Sequence, residues 1–277
     1  MFSMRYEITA LQRGLKILTV LTESEREMTA TEIAHAVSLT ASTICRFLVN
    51  LEGTGFIRRN SRGSYQLGPA CLALGRAALN HLEIREASMP VLKELNRATQ
   101  ETVHLTVRNG VTAVYIEKID SPLPVRIFSR VGATVPIYCT AVGKILLAFL
   151  DFETRSEILS KTNFIPFTPT TPICANQVEE KLAAVRRLGY AIDNEEHEQH
   201  IRCIAAPIWN HAGEVVAAFS LTGPTSRMQR SRVRELVPLI VEASQAISKG
   251  LGFRGLEMPT RGSAADEGVR PNRAHSI

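Results

Sequence analysis

Ser42, Arg46 and Asn50 are spaced four residues apart, with Thr43 at the edge of the same line. A helix over this stretch puts them on one face. Hydroxyl, guanidinium and carboxamide groups bond to base edges and phosphates, and no acid interrupts the row. Ile44, Phe47, Leu48 and Leu51 follow the i, i+3, i+4, i+7 rule and make the opposite, buried stripe. This layout suits a helix that reads a DNA groove, and taken alone it equally suits plain core packing. Arg58 and Arg59 follow on a short strand, Arg62 sits in the turn Asn60-Ser61-Arg62-Gly63, and Ser64 to Leu67 return. A cationic hairpin beside such a helix would grip phosphates; without the helix it is a solvated hairpin. The expected DNA-contacting set is Thr40, Ser42, Thr43, Arg46, Asn50, Arg58, Arg59 and Arg62.

A second constellation is small and polar. Asp193 ends one expected strand, Cys203 begins another, and Ser220 and Thr222 share a face of a third. Ala141, Val142 and Gly143 open a helix, where unpaired amides and the helix dipole favour an anion. Together they could hold a small carboxylate or keto acid. Polar residues satisfied within a sheet would read the same way.

Familiar catalytic motifs fail. Gly250 to Gly255 matches GxGxxG literally but follows a helix and precedes no further element. Gly143-Lys144 lacks the remaining phosphate-loop positions. His197-Glu198-Gln199-His200 misses the zinc-protease spacing by one residue. His197, His200 and Cys203 are types that ligate metals, but alternate residues of a strand point apart. No metal and no cofactor is expected, and the chain is not read as an enzyme.

The elements that must position these residues follow from periodicity. Residues 1–8 read as frayed, and Thr9 with Gln12 reads as a capping box. Leu11, Leu15, Leu18 and Leu21 suggest a helical stripe. Thr29 with Glu32 forms a further capping box, and Thr40 caps the next helix. With the hairpin this predicts a winged helix-turn-helix over residues 8–68. A linker helix over 69–81 follows Gly68-Pro69. Residues 82–253 begin with a helix to Thr99, kinked or restarted at Pro90, and then turn to period two. Strands are expected over 102–108, 112–118, 125–129, 190–194, 202–209 and 214–222, with helices over 140–150, 177–188 and 228–249. Residues 161–175 read as a loop and 254–277 as a disordered tail. The fold class is α+β, around one antiparallel sheet in the larger domain.

Composition sets bounds. The 277 residues are 45% hydrophobic and 21% charged, which fits a globular chain with room for two domains. Net charge is +5, yet the first 75 residues hold eight Lys/Arg against six Asp/Glu. The local pattern therefore carries the DNA argument. Five cysteines without CxxC suit reduced thiols in the cytoplasm, and no apolar run is long enough for a membrane span.

Four stretches carry a family resemblance: Leu39–Asn50 (LTASTICRFLVN), Tyr65-Gln66-Leu67-Gly68, Val135–Leu147 (VPIYCTAVGKILL) and Gly189–Asn210 (GYAIDNEEHEQHIRCIAAPIWN). The chain resembles the IclR family of bacterial transcription regulators from about Ile8 to Phe253. Tyr115–Val131 is most similar to the sugar-acid branch, the repressors of ketodeoxygluconate-type regulons. Two departures stand out: His200, where the family usually has Gly, and Trp209, usually a smaller aromatic.

The resemblance implies a winged helix-turn-helix, a linker helix and a GAF-like α/β effector domain with an antiparallel sheet. It implies homodimers or homotetramers on double-stranded operators, released or recruited by a small organic acid. The family's effector positions fall on Ala141, Val142, Asp193, Cys203, Ser220 and Thr222, with apolar lining from Ile127, Val135 and Ile201. The expected function is a cytoplasmic repressor answering to a keto or sugar acid. A metal-sensing regulator and a keto-acid enzyme are the alternatives.

Overall fold

The computed structural model describes residues 8–24, 26–80, 83–124 and 127–254. The chain forms two compact units, divided between Glu83 and Ile84.

The first unit runs α1 (Thr9–Glu23), α2 (Ala30–Ala36), α3 (Ala41–Gly53), β1 (Ile57–Arg59), β2 (Tyr65–Leu67) and α4 (Pro69–Asn80). Its core gathers Ile17 and Leu21 from α1, Ile33 and Val37, Ile44 and Leu48 from α3, and Ile57 and Tyr65 from the wing. The α2 capping box forms: Thr29 Oγ1 accepts from the Glu32 amide, and Glu32 accepts from the Thr29 amide at 2.7 Å. Arg26 is the first cause, and these bonds the second, that hold the Glu32 carboxyl down to about 2. Met28 bridges to Tyr65, so the α1–α2 connection is tied to the wing.

Two expectations for α1 are corrected. Its N-cap is Ile8, with no side-chain cap, and the Gln12 amide already bonds to the Ile8 carbonyl. Thr9 therefore lies inside the helix and has no cap to make. Leu11 and Leu15 are exposed, and the inward line is Ile17 and Leu21. Ten residues turn a helix by about 1000°, which leaves Leu11 about 80° from Leu21.

The second unit runs α5 (Glu83–Thr99), β3 (Thr102–Asn109), β4 (Thr112–Ile119), β5 (Thr134–Pro136), α6 (Ala141–Ala148), α7 (Phe152–Ser160), α8 (Ala175–Leu188), β6 (Ala191–Asn194), β7 (Ile201–Trp209), β8 (Val215–Pro224) and α9 (Arg230–Gly250). One six-stranded sheet has the order β5-β4-β3-β8-β7-β6, with antiparallel neighbours throughout. The core over one face includes Ala191, Ala205 and Ala218 from the strands, with α6 and then α8 packed on them. Small strand residues let α6 approach closely; every residue of this helix is buried. By alternation Ile204, Phe219 and Leu221 point to the other face. α9 packs on β7.

Four further expectations change. Residues 127–129 are not a strand, and 125 and 126 lie outside the described residues. The Ile127 and Ser129 carbonyls are taken by Lys118 Nζ instead of a ladder, at 3.1 and 2.8 Å. On the side away from β3, β4 pairs with β5, which the sequence reading missed. Helix α7 was also unforeseen; Asp151 caps it by accepting from the Thr154 amide at 2.8 Å. α5 runs unbroken through Pro90 and does not restart there. Of the frayed start and the disordered tail, residues 1–7 and 255–277 lie outside the described residues. Among the described residues no helix is long and apolar enough to cross a membrane.

Candidate DNA-reading surface and ligand-binding face

Helix α3 turns the sequence pattern into a surface. Ser42, Arg46, Val49 and Asn50 are exposed, Thr43 is half-buried, and Ile44 and Leu48 are buried at 1% exposure each. Thr40 caps the helix: its Oγ1 accepts from the Thr43 amide and donates to Thr43 Oγ1 at 2.9 Å. Those two hydroxyls are therefore already engaged, and Ser42 Oγ lies 3.2 Å from Thr40 Oγ1. Asn50 Nδ2 donates back to the Arg46 carbonyl at 2.7 Å, which leaves its oxygen to face outward. Among the described residues the exposed Arg46 guanidinium has no hydrogen-bond or ion-pair partner, which leaves it the long cation of this face.

The wing is built to hold its arginines. Asn60 Oδ1 accepts from the Arg62 and Ser64 amides, both at 2.9 Å, and Gly63 takes φ 83°. That side-chain turn closes the hairpin without a longer loop. Arg58, Arg59 and Arg62 are all exposed. Arg59 lies over the Tyr65 ring, 5.6 Å from its centre. Arg58 is across from Gln66, whose amide oxygen, turned toward it, accepts from Nε and Nη2 at 2.6 and 2.8 Å. Two of the three guanidinium groups thus stand on a scaffold, and Arg62 sits at the tip.

In the second unit the sheet register gathers the polar residues that sequence spacing could only suggest. Asp193 is across from Cys203, Cys203 from Thr222, and Thr222 from Thr102. Residues directly opposite in an antiparallel ladder share a face. One row along, Ser220 is across from Ala205 and His104. Ile201 is two residues from Cys203 and so shares its face. Val135, Ala141 and Val142 belong to the core on this face, and Cys203 packs against it. Ile127 lies in the β4–β5 connection, half-buried. Its carbonyl is held by Lys118, which is across from His104.

Helix α6 meets this face with its N-terminus. Thr140 accepts from the Gly143 amide at 3.1 Å, and the earlier amides, at Ala141 and Val142, have no acceptor within the helix. The approach is tight. A Cβ on Gly143 would sit 2.2 Å from the Ile137 carbonyl oxygen, so only glycine lets the first turn seat there.

Sequence reasoning missed His104, Tyr115 and Ser129. His104 Nε2 lies 2.7 Å from Ser129 Oγ, and its ring stacks on Tyr115 with centres 4.4 Å apart. On its other side Nδ1 is 3.4 Å from Thr222 Oγ1, which is 3.4 Å from Ser220 Oγ. The signal was available: Thr102, His104 and Thr106 are polar at period two inside an apolar strand. Lys144 was rejected as a phosphate-loop lysine, and its structural role was not seen. It donates to the Ile192 carbonyl at 2.5 Å and to Glu196 Oε1 at 2.6 Å.

Burial sets the ionisation of this face. It drives His104 down to about 3, helped by Lys118, so the ring is neutral near pH 7. Burial raises Asp193 to about 7; Lys144 and the Glu196 amide oppose this, and the Glu196 charge adds to it. Burial, then the Asp193 charge, pushes the Cys203 thiol up, and burial does the same to the Tyr115 phenol. Cys203 is thus held as a thiol, the wrong form for a nucleophile. The face offers hydroxyls, a neutral imidazole and a carboxyl that titrates near neutral pH, under helix amides that favour an anion.

The metal alternative loses its ligand set. The His200 side chain is 86% exposed beside Glu195, His197 packs edge-on to Phe167, and Cys203 belongs to the sheet face. Among the described residues no three His, Cys, Asp or Glu side chains are grouped to hold an ion.

Comparison with known proteins agrees with both units. Residues 10–61 match the IclR helix-turn-helix domain, and residues 76–249 match the bacterial transcriptional regulator IclR C-terminal domain. The chain is 35% identical over 247 residues to the HTH-type transcriptional regulator XynR of Escherichia coli, covering 89% of this chain and 98% of that one. It is 34% identical to the HTH-type transcriptional regulator KdgR of E. coli, covering 89% and 94%. An IclR homologue from Microbacterium hydrocarbonoxydans, solved with 4-hydroxybenzoate, superposes with a TM-score of 0.76 at 26% identity, over 87% of this chain and 98% of that one. XynR and KdgR are named as regulators, not enzymes. With a DNA-binding head and an effector-binding domain in one chain, this protein belongs to the IclR family of bacterial DNA-binding transcriptional regulators.

Proposed function

We propose that this regulator is a cytoplasmic repressor whose grip on its operator is set by a small keto or sugar acid. The carrying observation is the buried polar row Asp193–Cys203–Thr222, with Ser220 and His104 beside it. Ser220, Thr222 and His104 bond to one another and to Ser129, and Asp193 accepts from the Glu196 amide, so a ligand with several hydroxyls or a keto oxygen would exchange these bonds for its own without leaving a buried group unpaired. The ligand's carboxylate lies against the amides of Ala141 and Val142 at the start of α6. Val135, Ile127 and Ile201 supply the apolar wall. The solved relative that holds 4-hydroxybenzoate supports an organic acid as the effector class. The sugar-acid resemblance of Tyr115–Val131 supports the hydroxylated kind, and the repressor sign.

In the head, Arg46 and Ser42 read bases, with Thr43 and Asn50 at the edge of the reading face. Thr40 fixes the start of α3. Arg58, Arg59 and Arg62 hold phosphates. A homodimer, or a homotetramer built from two, puts two such heads on a palindromic operator. The acid favours one arrangement of the heads by its differential affinity for the two states.

The test is a thermal-shift screen of the full chain against small keto, hydroxy and sugar acids. A true effector at 100 times its dissociation constant adds about 2.7 kcal/mol to stability. Thr222→Val with Ser220→Ala should abolish the shift while the protein stays folded. A shift unchanged in that double variant refutes the placement.

A further inference from the structure

The second unit carries a cavity away from the polar row. It has a volume of about 900 Å³, lies among the C-terminal ends of α8, β7 and α9, and matches the 300–1000 Å³ of small-molecule sites. Its wall is aromatic. Trp209 stacks on Phe253 with centres 5.6 Å apart, and Phe149 meets Trp209 edge-on at 4.8 Å. Trp209 is half-buried, so part of the indole stays reachable.

The rim is cationic. Arg187, Lys249 and Arg254 line the cavity and are exposed. Among the described residues none of the three has a carboxylate partner. Arg186, also at the rim, is engaged by the Ala148 carbonyl and Glu179. Cations at helix C-termini offset the dipole, which is worth about half a charge per helix. Three helices end here, α6 just before Phe149 together with α8 and α9, so roughly one and a half negative charges face three cations, and the site remains positive. The hydroxyls on the floor are satisfied internally: Ser248 accepts from the Trp209 amide at 3.0 Å, and Ser244 donates to the Pro207 carbonyl at 2.6 Å. The floor therefore asks for no polyol.

We propose that this cavity is a second small-molecule site, selective for an aromatic carboxylate. The ring packs against Trp209 and Phe149, and the carboxylate meets the rim cations. The site is independent of the keto- or sugar-acid site and does not require it. It would give the regulator a second input, in the same domain, of a different chemical class.

Trp209 is the only tryptophan in the chain, so its fluorescence reports this cavity alone. The probe is 4-nitrobenzoate, a quencher, with neutral 4-nitrobenzyl alcohol as the uncharged control, on the full-length protein. Saturable quenching by the acid is expected, with the alcohol failing to saturate over the same range. Arg187→Ala with Lys249→Ala should raise the half-saturating concentration at least tenfold; both side chains are exposed, so folding is retained. Thr222→Val should leave the curve unchanged. Quenching that never saturates, or that the double variant leaves intact, overturns the proposal. Loss of quenching in Thr222→Val overturns it too, by placing the probe at the sheet face. So does saturation that appears only when the chain ends at Arg254, since the cavity would then belong to the chain's own last residues.

Discussion

Lys144 Nζ and Glu196 Oε1 lie 2.6 Å apart, on side chains only 3% and 4% exposed. The pair ties α6 to the residues just after β6, and so fixes the α6 N-terminus over the polar row. Among the described residues Glu196 Oε2 is buried with no partner, so the bridge is under-satisfied as well as buried. Lys181 Nζ lies 3.3 Å from the same Glu196 oxygen, so losing Lys144 leaves that charge only partly compensated, and the cost falls toward the lower end of about 3–5 kcal/mol. Lys144→Met should cost this much in chemical denaturation. Lys144→Met with Glu196→Leu should recover most of it, because a well-packed apolar pair replaces the charges.

Asp193 gives stability an unusual pH dependence. Burial raises its carboxyl to about 7, while an unfolded Asp titrates near 3.9. Between those values the native state keeps a proton that the unfolded state has lost. The contribution is full below the unfolded value and is lost as pH rises through about 7. Asp193→Asn should flatten this slope. Urea midpoints at pH 5 and pH 8 check it: the drop toward pH 8 should be smaller in the variant than in the wild type.

Arg46 and Arg59 should fail differently. On the proposed base-reading role, Arg46→Ala should weaken operator binding by about 1–3 kcal/mol, with less loss on unrelated DNA. On the proposed phosphate role, Arg59→Ala should weaken all sequences alike. It should also reduce the salt slope of log K by about one unit. Anisotropy titrations at several salt concentrations separate the two. Wild-type affinity in both variants would show the reading surface to be misplaced.

His200 carries a strain that its usual counterpart avoids. Its φ is 65°, in the left-handed region, where a side chain costs about 1–2 kcal/mol. Glycine pays about 0.5–1 kcal/mol in entropy instead. His200→Gly should therefore raise stability by roughly 0.5–1 kcal/mol, read as a higher thermal midpoint. The exposed imidazole offers little to set against this, since its nearest acid, Glu195, is 3.9 Å away.

The head was legible because its signals are local. Caps, the four-residue spacing of α3 and the Asn60–Gly63 turn each act within a few residues. The α1 stripe misled because four leucines at spacings of four and three drift around the helix, and only contact with α2 and α3 selects Ile17 and Leu21. The sheet face was half legible. Asp193, Cys203, Ser220 and Thr222 could be named one by one, but their alignment depends on the β6–β7–β8 register, which spacing does not fix. His104 escaped because its partners, Ser129 and Thr222, lie 25 and 118 residues away in sequence. Over residues 127–129 the expected strand failed because a lysine side chain takes carbonyls that a ladder would otherwise have used.

The most direct measurement couples the two units. Operator affinity of the full chain is titrated with and without the acid found in the thermal screen, for wild type and for Ser220→Ala with Thr222→Val. The acid should weaken operator binding at least fivefold in the wild type, the lower range of allosteric coupling, and leave the variant unchanged. Equal operator affinity in the wild type with and without the acid, or an equal response in both proteins, would contradict the account.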